Sequence, residues 1–309
     1  MKKKKLKKMP VTAFTAQILW VSLVALILLP GLKPVKSPYP MLCAVVLMEA
    51  AYILKCVSKP EKRTAASDLM NIIWIFLIAW EIAVTKKNLM HPVLVPAPEN
   101  VFYVFYEQPL ILIKGVYDSM KLLLVGVIVG LAAGVVTGLI CGWVKRLRSL
   151  FYPVANVLAP IPSIVFAPYI VALMPTFRSA SAVVIILGIF WPTFLNMMIR
   201  VDSIDRQILD SARVLNLSQM AMVFQVLLPY AFPGIINSLK VTVTTAVMML
   251  TFAEMMGATS GMGYYIVNYN TYANYTNVVA GIIVVGIVVT ILNKIVGMIQ
   301  KKVIQWQMF

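Results

Sequence analysis

Leu122-Leu123-Leu124-Val125-Gly126-Val127-Ile128-Val129-Gly130-Leu131-Ala132-Ala133-Gly134-Val135-Val136-Thr137-Gly138-Leu139-Ile140 is the stretch on which the architecture turns. It has no charged residue, and its length is close to the roughly 20 residues that a helix needs to cross the hydrocarbon core of a bilayer. Glycine returns at positions 126, 130, 134 and 138, so the four share one helical face, where a second helix can approach closely. The same character extends outward: 61% of the 309 residues are hydrophobic, 12% are charged, and the mean hydropathy is +0.88. Such values exclude a water-facing globular surface. Further apolar runs put candidate spans at about 13–30, 38–55, 68–85, 119–143, 151–175, 180–200, 232–255 and 277–299. The fold class is therefore all-α, a polytopic membrane bundle of about eight transmembrane helices.

The formal charge of +16 lies between these runs, which reads as orientation in a membrane rather than as nucleic-acid binding. With the N-terminus inside, Lys55, Lys59, Lys62, Arg63, Lys145, Arg146, Arg148, Arg200, Arg206, Arg213, Lys301 and Lys302 join the N-terminal lysines on one side. Only Lys33, Lys36, Lys86, Lys87, Lys114 and Arg178 fall on the other. The positive-inside bias thus predicts a multi-pass protein of the bacterial cytoplasmic membrane, bathed in lipid, with both termini cytoplasmic. The basic head Met1–Lys8 and the apolar run Ala13–Leu29 are followed by Pro30-Gly31-Leu32-Lys33 and no small-x-small site, as in an uncleaved signal anchor. Cys43, Cys56 and Cys141 are odd in number and sit in or beside apolar segments, so neither a disulfide framework nor a metal site is expected. No pair of histidines, acid cluster at metal spacing, or serine beside a base is present, so no catalytic residue and no cofactor is expected.

Two segments between spans are long enough to hold structure. Lys86–Asp118 contains Pro92, Pro96 and Pro98 and then Val101-Phe102-Tyr103-Val104-Phe105-Tyr106, which reads as a helix lying at the external interface. Val201–Pro229 falls on the cytoplasmic side, and its apolar residues, among them Ile204, Ile208, Leu209, Ala212 and Leu215, return every three or four positions. That spacing predicts a short helix, a turn near Asn216-Leu217-Ser218, and a second short amphipathic helix outside the bilayer core. Asn216 suits the left-handed end of the first helix, and Ser218 the cap of the second.

Read as Asp210-Ser211-Ala212, then Asn216, then Val226-Leu227-Leu228-Pro229, this segment resembles the Glu-Ala-Ala loop of permease subunits in binding-protein-dependent ABC importers. Asp replaces the usual Glu, Ser the first Ala and Asn the Gly, each a chemically mild change. Leu94-Val95-Pro96-Ala97-Pro98, Ser119 with Lys121, Pro160-Ile161-Pro162, Pro168, and Glu254 with Gly261-Met262-Gly263-Tyr264 resemble the nitrate, sulfonate, taurine and bicarbonate branch. The resemblance implies a type I importer permease core at 119–300 of about five helices, with a coupling segment at 201–229. Ahead of it would lie a basic tail with about three helices at 1–90, two of them extra to the family core, and an external segment at 91–118; residues 301–309 would be a cytoplasmic tail. It also implies a transport subunit rather than an enzyme, partnered by an ATP-binding ABC subunit, an extracytoplasmic substrate-binding protein and a second permease copy as a homodimer. ATP hydrolysis would reside in the partner, since the chain has no G-x-x-x-x-G-K-[ST] loop of its own. Arg206, Asp210, Ser211, Ala212, Arg213, Asn216, Leu228 and Pro229 would meet the ATPase. The solute would be small, and nitrate, sulfonates, taurine, bicarbonate or a heterocyclic vitamin precursor all stay open.

Charges inside a bilayer need partners, so Glu49, Glu81, Glu254 and Lys240 stand out. Glu254 with Met249, Gly261 and Gly263 marks a candidate gate on the translocation path, or a buried acid that holds the amides of the loop after it. Glu49, Glu81 and Glu254 together also allow a different protein class, a secondary transporter driven by protons.

Overall fold

The computed structural model describes residues 11–91 and 93–303, without the side chain of Arg213. The basic head of the expected signal anchor, Pro92 and residues 304–309 lie outside the described residues. The helices are α1 (Val11–Leu28), α2 (Tyr39–Ser58), α3 (Arg63–Trp80), α4 (Pro98–Glu107), α5 (Pro109–Trp143), α6 (Lys145–Leu158) and α7 (Ala167–Leu173). They continue as α8 (Phe177–Asp202), α9 (Arg206–Val214), α10 (Gln219–Ala221), α11 (Leu228–Met255), α12 (Met262–Thr271) and α13 (Tyr275–Val303). Proline opens α4 and α5, where its fixed φ suits the first turn and its missing N–H costs no ladder bond. No strand occurs among the described residues.

Among the described residues seven helical runs are long and apolar enough to cross a membrane: Val11–Leu28, Tyr39–Ser58, Pro60–Lys86, Pro109–Trp143, Phe177–Asp202, Gln219–Met255 and Tyr275–Val303. The span expected at 151–175 is not one rod but Lys145–Leu158 and Ser163–Leu173, bent against each other by 84°. Pro160 and Pro162 bring no N–H to the ladder on either side of Ile161, and Pro162 itself is extended, with ψ 123. The second short helix expected before the seventh span is also different. Gln219–Ala221 passes through a π turn, Met222–Leu227, straight into α11, so the piece is the first part of a 37-residue helix. Pro229 follows that turn, and its missing N–H would leave the carbonyl four residues back without a partner in a regular α-helix.

The chain divides into two compact units. In the first, residues up to Leu112 with Asn268–Ile282, helices α1, α2 and α3 pack around Leu23, Met41, Val45, Trp74 and Leu77. The second comprises Ile113–Val267 and the chain from Ile283 onward. There the glycine face of α5 lies on α8. Cβ atoms added at Gly126, Gly130, Gly134 and Gly138 would meet Ile185, Ile189, Thr193 and Met197, and one at Gly142 would meet Val201. Both helices therefore present residues four apart at the seam, and the α8 backbone itself comes close: the carbonyl of Phe194 would stand 2.8 Å from a Cβ on Gly138.

Contacts at the helix ends decide whether the bent pair crosses. Arg148 near the start of α6 pairs with Asp202 at the end of α8, and Trp143 Nε1 at the end of α5 donates to Gln219 Oε1 at 2.6 Å. The start of α6 and the end of α8 thus share a membrane face. Because α8 is itself long enough to span, α6 and α7 lead the chain back to its beginning, so the bent pair counts as an eighth candidate span among the described residues.

The seam predicts a sharp difference between two glycines. Gly138→Ala should lower the unfolding temperature of the purified protein, at a cost of about 1–3 kcal/mol for overpacking. Gly286→Ala, where nothing lies within 4 Å, should be neutral or mildly stabilising; equal effects at both sites would contradict the seam.

Candidate functional site

The hairpin between α8 and α11 is built from local hydrogen bonds. Asp205 Oδ1 accepts the Gln207 N–H at 3.0 Å at the start of α9, and Ser211 Oγ donates to the Gln207 carbonyl at 2.8 Å. Asn216 adopts φ 49, the left-handed conformation that ends a helix. Ser218 Oγ then accepts the Ala221 N–H at 3.2 Å and caps the next helix. The structure thus places the turn and the cap at the residues whose chemistry calls for them.

α9 has two unlike sides. Inward, Ala212 is buried and Leu209 packs with it against Leu139, Met197, Val201 and Leu227, at the ends of α5 and α8 and in the π turn. Outward, Arg206, Asp210, Ser211 and Val214 (82%) are exposed, and past its end so are Leu215 (72%) in the turn and Met220 (64%) on α10. Of the other residues expected here, Asn216 is exposed, Leu228 half-buried and Pro229 exposed at the first turn of α11. The side chain of Arg213 lies outside the described residues.

At the opposite membrane face, Glu254 ends α11 with its side chain almost wholly buried. Its Oε1 accepts from Ser119 Oγ at 2.6 Å and its Oε2 from the Gly263 N–H at 2.8 Å. Ser119 Oγ accepts in turn from the Met262 N–H at 2.8 Å, so one carboxyl and one hydroxyl fasten α5, α11 and the start of α12. Gly261 stands at φ 119, a conformation that side chains rarely adopt, and a Cβ there would strike the Glu254 carboxyl. One on Gly263 would strike the Thr251 carbonyl. A cavity of about 350 Å³ adjoins the cluster, with Asp118, Arg178 and Ser181 in its wall.

Glu254, Gly261 and Gly263 are thus brought together, but Met249 is not with them. It lies more than a turn earlier on α11, where its side chain approaches Gly188 of α8. Each intramembrane acid has local partners. Glu49 Oε1 accepts from Gln17 Nε2 at 2.5 Å. Glu81 pairs with Lys86 at 3.0 Å beside Thr85, whose hydroxyl donates to the buried Glu99 at 2.9 Å. No hydrogen bond among the described residues links Glu49 to Glu81. Sequence reading missed Glu99, and it missed Gly234, beside which the Arg200 guanidinium lies. The Pro233-Gly234 pair was the available signal for the second.

The described residues thus form an all-helical chain with a capped hairpin at one end of the second unit and a buried carboxyl node at the other. The family model described as binding-protein-dependent transport system inner membrane component matches residues 134–307, and the chain belongs to that family. Among its relatives is the putative aliphatic sulfonates transport permease protein SsuC of Bacillus subtilis, 24% identical, with 75% of this chain and 85% of the relative covered. The nitrate import permease protein NrtB of Leptolyngbya laminosa is 30% identical over 60% of this chain and 67% of its own. For the taurine transport system permease protein TauC of Escherichia coli the values are 22%, 80% and 92%. A chain of the inward-facing MetNI methionine ABC transporter shares the fold, with a TM-score of 0.56 at 21% identity over 63% of this chain and 98% of its own.

The node predicts graded losses. Ser119→Ala and Glu254→Gln each leave a buried donor unpaired and should cost about 1–3 kcal/mol. Gly261→Ala, which combines positive φ with a clash, should cost more. Limited proteolysis of the Gly257–Met262 turn in purified protein checks the order; wild-type resistance in Gly261→Ala would refute the arrangement.

Proposed function

We propose that the chain is the transmembrane subunit of an ATP-driven importer, and that α9 with its Asn216 turn is the seat for a separate ATPase chain. The supporting observation is the two-sidedness of α9 and the turn after it: one side is built into the ends of the membrane helices, and the other exposes Val214, Leu215 and, at the start of the next helix, Met220. Apolar side chains exposed together outside a membrane fit a partner surface. Because the hairpin continues without a break into the 37-residue helix Gln219–Met255, a push on α9 tilts a membrane-spanning lever rather than a loose loop.

On this reading the faces are assigned by charge. Arg146, Arg148, Arg200 and Arg206 lie toward the hairpin, so that face is cytoplasmic and the Glu254 node faces outward to a substrate-binding protein. Residues 119–300 act as the permease core, 91–118 lie outside, and the helices of 1–90 include two added to that core. A second copy of the chain completes the path as a homodimer. The solute is small and anionic or heterocyclic, in keeping with the sulfonates, nitrate and taurine in the names of its relatives. Membership of this family does not favour proton-driven transport through Glu49, Glu81 and Glu254.

Leu215→Asp and Met220→Asp test the seat without disturbing the buried side. Each should leave the amount of protein in the membrane unchanged, strip the ATPase from the purified complex, and cut ATP-dependent uptake at least about tenfold, equivalent to about 1.4 kcal/mol of lost association. Normal uptake by both variants would refute the seat.

A further inference from the structure

The second unit holds a cavity of about 290 Å³ between α5, α8 and α11 that the coupling hairpin does not use. Thr193, Asn196 and Arg200 line it at intervals of three and four residues along α8, and Thr245 lines it from α11. Arg200 is the charged residue of the lining, which includes no carboxylate. Among the described residues Arg200 forms no ion pair, whereas nearby Asp202 is taken by Arg148. Its guanidinium occupies the space that a Cβ on Gly234 would need, so the glycine of α11 is what allows this cation to lie back against the bundle.

Of the polar lining, Ser238 and Thr242 donate to the helix carbonyls of Ile235 and Ser238, whereas the hydroxyls of Thr193 and Thr245 and the amide of Asn196 have no hydrogen-bond partner among the described residues. The carbon side of Thr193 packs toward Gly134. At the far end, Pro192 deprives the Gly188 carbonyl of its helical donor. Ser163, buried and with an unpartnered hydroxyl, closes on Gly188 together with Met249.

Arg200 stands in the last turn of α8, at the hairpin end of the cavity, and its planar guanidinium fork, turned back against Gly234, matches the oxygens of carboxylate, sulfonate or nitrate. A cation would be repelled there, and an uncharged solute would leave the charge uncompensated. We propose that this cavity is an oxyanion-binding step on the transport path, with Arg200 selecting charge and Thr193, Asn196 and Thr245 supplying neutral donors. The proposal rests on the permease reading and narrows its solute from anionic or heterocyclic to a small oxyanion.

The test uses the full chain with its ATPase in phosphatidylcholine nanodiscs, titrated with sodium nitrate and sodium methanesulfonate while the unfolding temperature is followed. The native chain should gain about 3 °C or more once the anion exceeds its Kd several-fold. Arg200→Gln should abolish the gain and Arg200→Lys should keep part of it. Should Arg200→Gln fail to fold, Thr245→Val and Asn196→Leu replace it, and each should weaken the response at least about tenfold, as expected for loss of a hydrogen bond to a charged group. No gain in the native chain, or the same gain in the variants, would overturn the proposal. So would a gain produced only by adding phosphatidylglycerol, which would make Arg200 a lipid-phosphate anchor. Retention of the ATPase and of ATP hydrolysis in the same preparation is read separately, and its absence counts against the permease reading instead.

Discussion

Everything in the second unit depends on how closely α5 and α8 approach. Lipid tails offer no hydrophobic drive for two apolar helices to associate, so packing contact must do so, and small residues make that contact possible. Five glycines on α5 face residues spaced by four on α8, which turns the two helices into one plate across the bilayer. At one end of the plate hang α9 and the start of the α10–α11 helix, pinned by Ala212 and by the Trp143–Gln219 bond. At the other end Ser119 of α5 holds Glu254 of α11. A displacement at the hairpin therefore has a stiff route to the opposite face.

The Glu254 node also shows why an acid inside a membrane protein need not be a binding group. Its carboxyl is surrounded by Ser119 and the Gly263 amide, and two glycines are required to leave it room. Of the two roles open to it from sequence, holding the amides of the following loop is the one its hydrogen bonds describe. In the proposed oxyanion step the charge chemistry falls instead to Arg200, whose cavity lining contains no carboxylate.

Local chemistry made much of this legible. The apolar runs marked the spans, Asn216 and Ser218 marked the turn and cap, and the glycine period marked a helix seam. What could not be read were features set by packing between distant segments. The run 151–175 was read as one span despite Pro160 and Pro162, because the 84° bend within it depends on what surrounds it. The passage of Gln219 into α11 was hidden because Pro229 reads as a stop, whereas a π turn lets the helix run through it. Likewise, nothing in the neighbourhood of Arg200 in sequence reveals that Gly234, on another helix, makes its seat.

The central claim is that the Arg206–Leu228 stretch is a cytoplasmic seat for an ATPase. Cysteine placed at Ser211 or Leu215, in a chain lacking Cys43, Cys56 and Cys141, tests it most directly through cross-linking to the partner in sealed vesicles of known orientation. The account predicts a nucleotide-dependent cross-link to the ATP-binding subunit, and labelling by a membrane-impermeant thiol reagent only in inside-out vesicles. Labelling in right-side-out vesicles, with no cross-link in either, would contradict it.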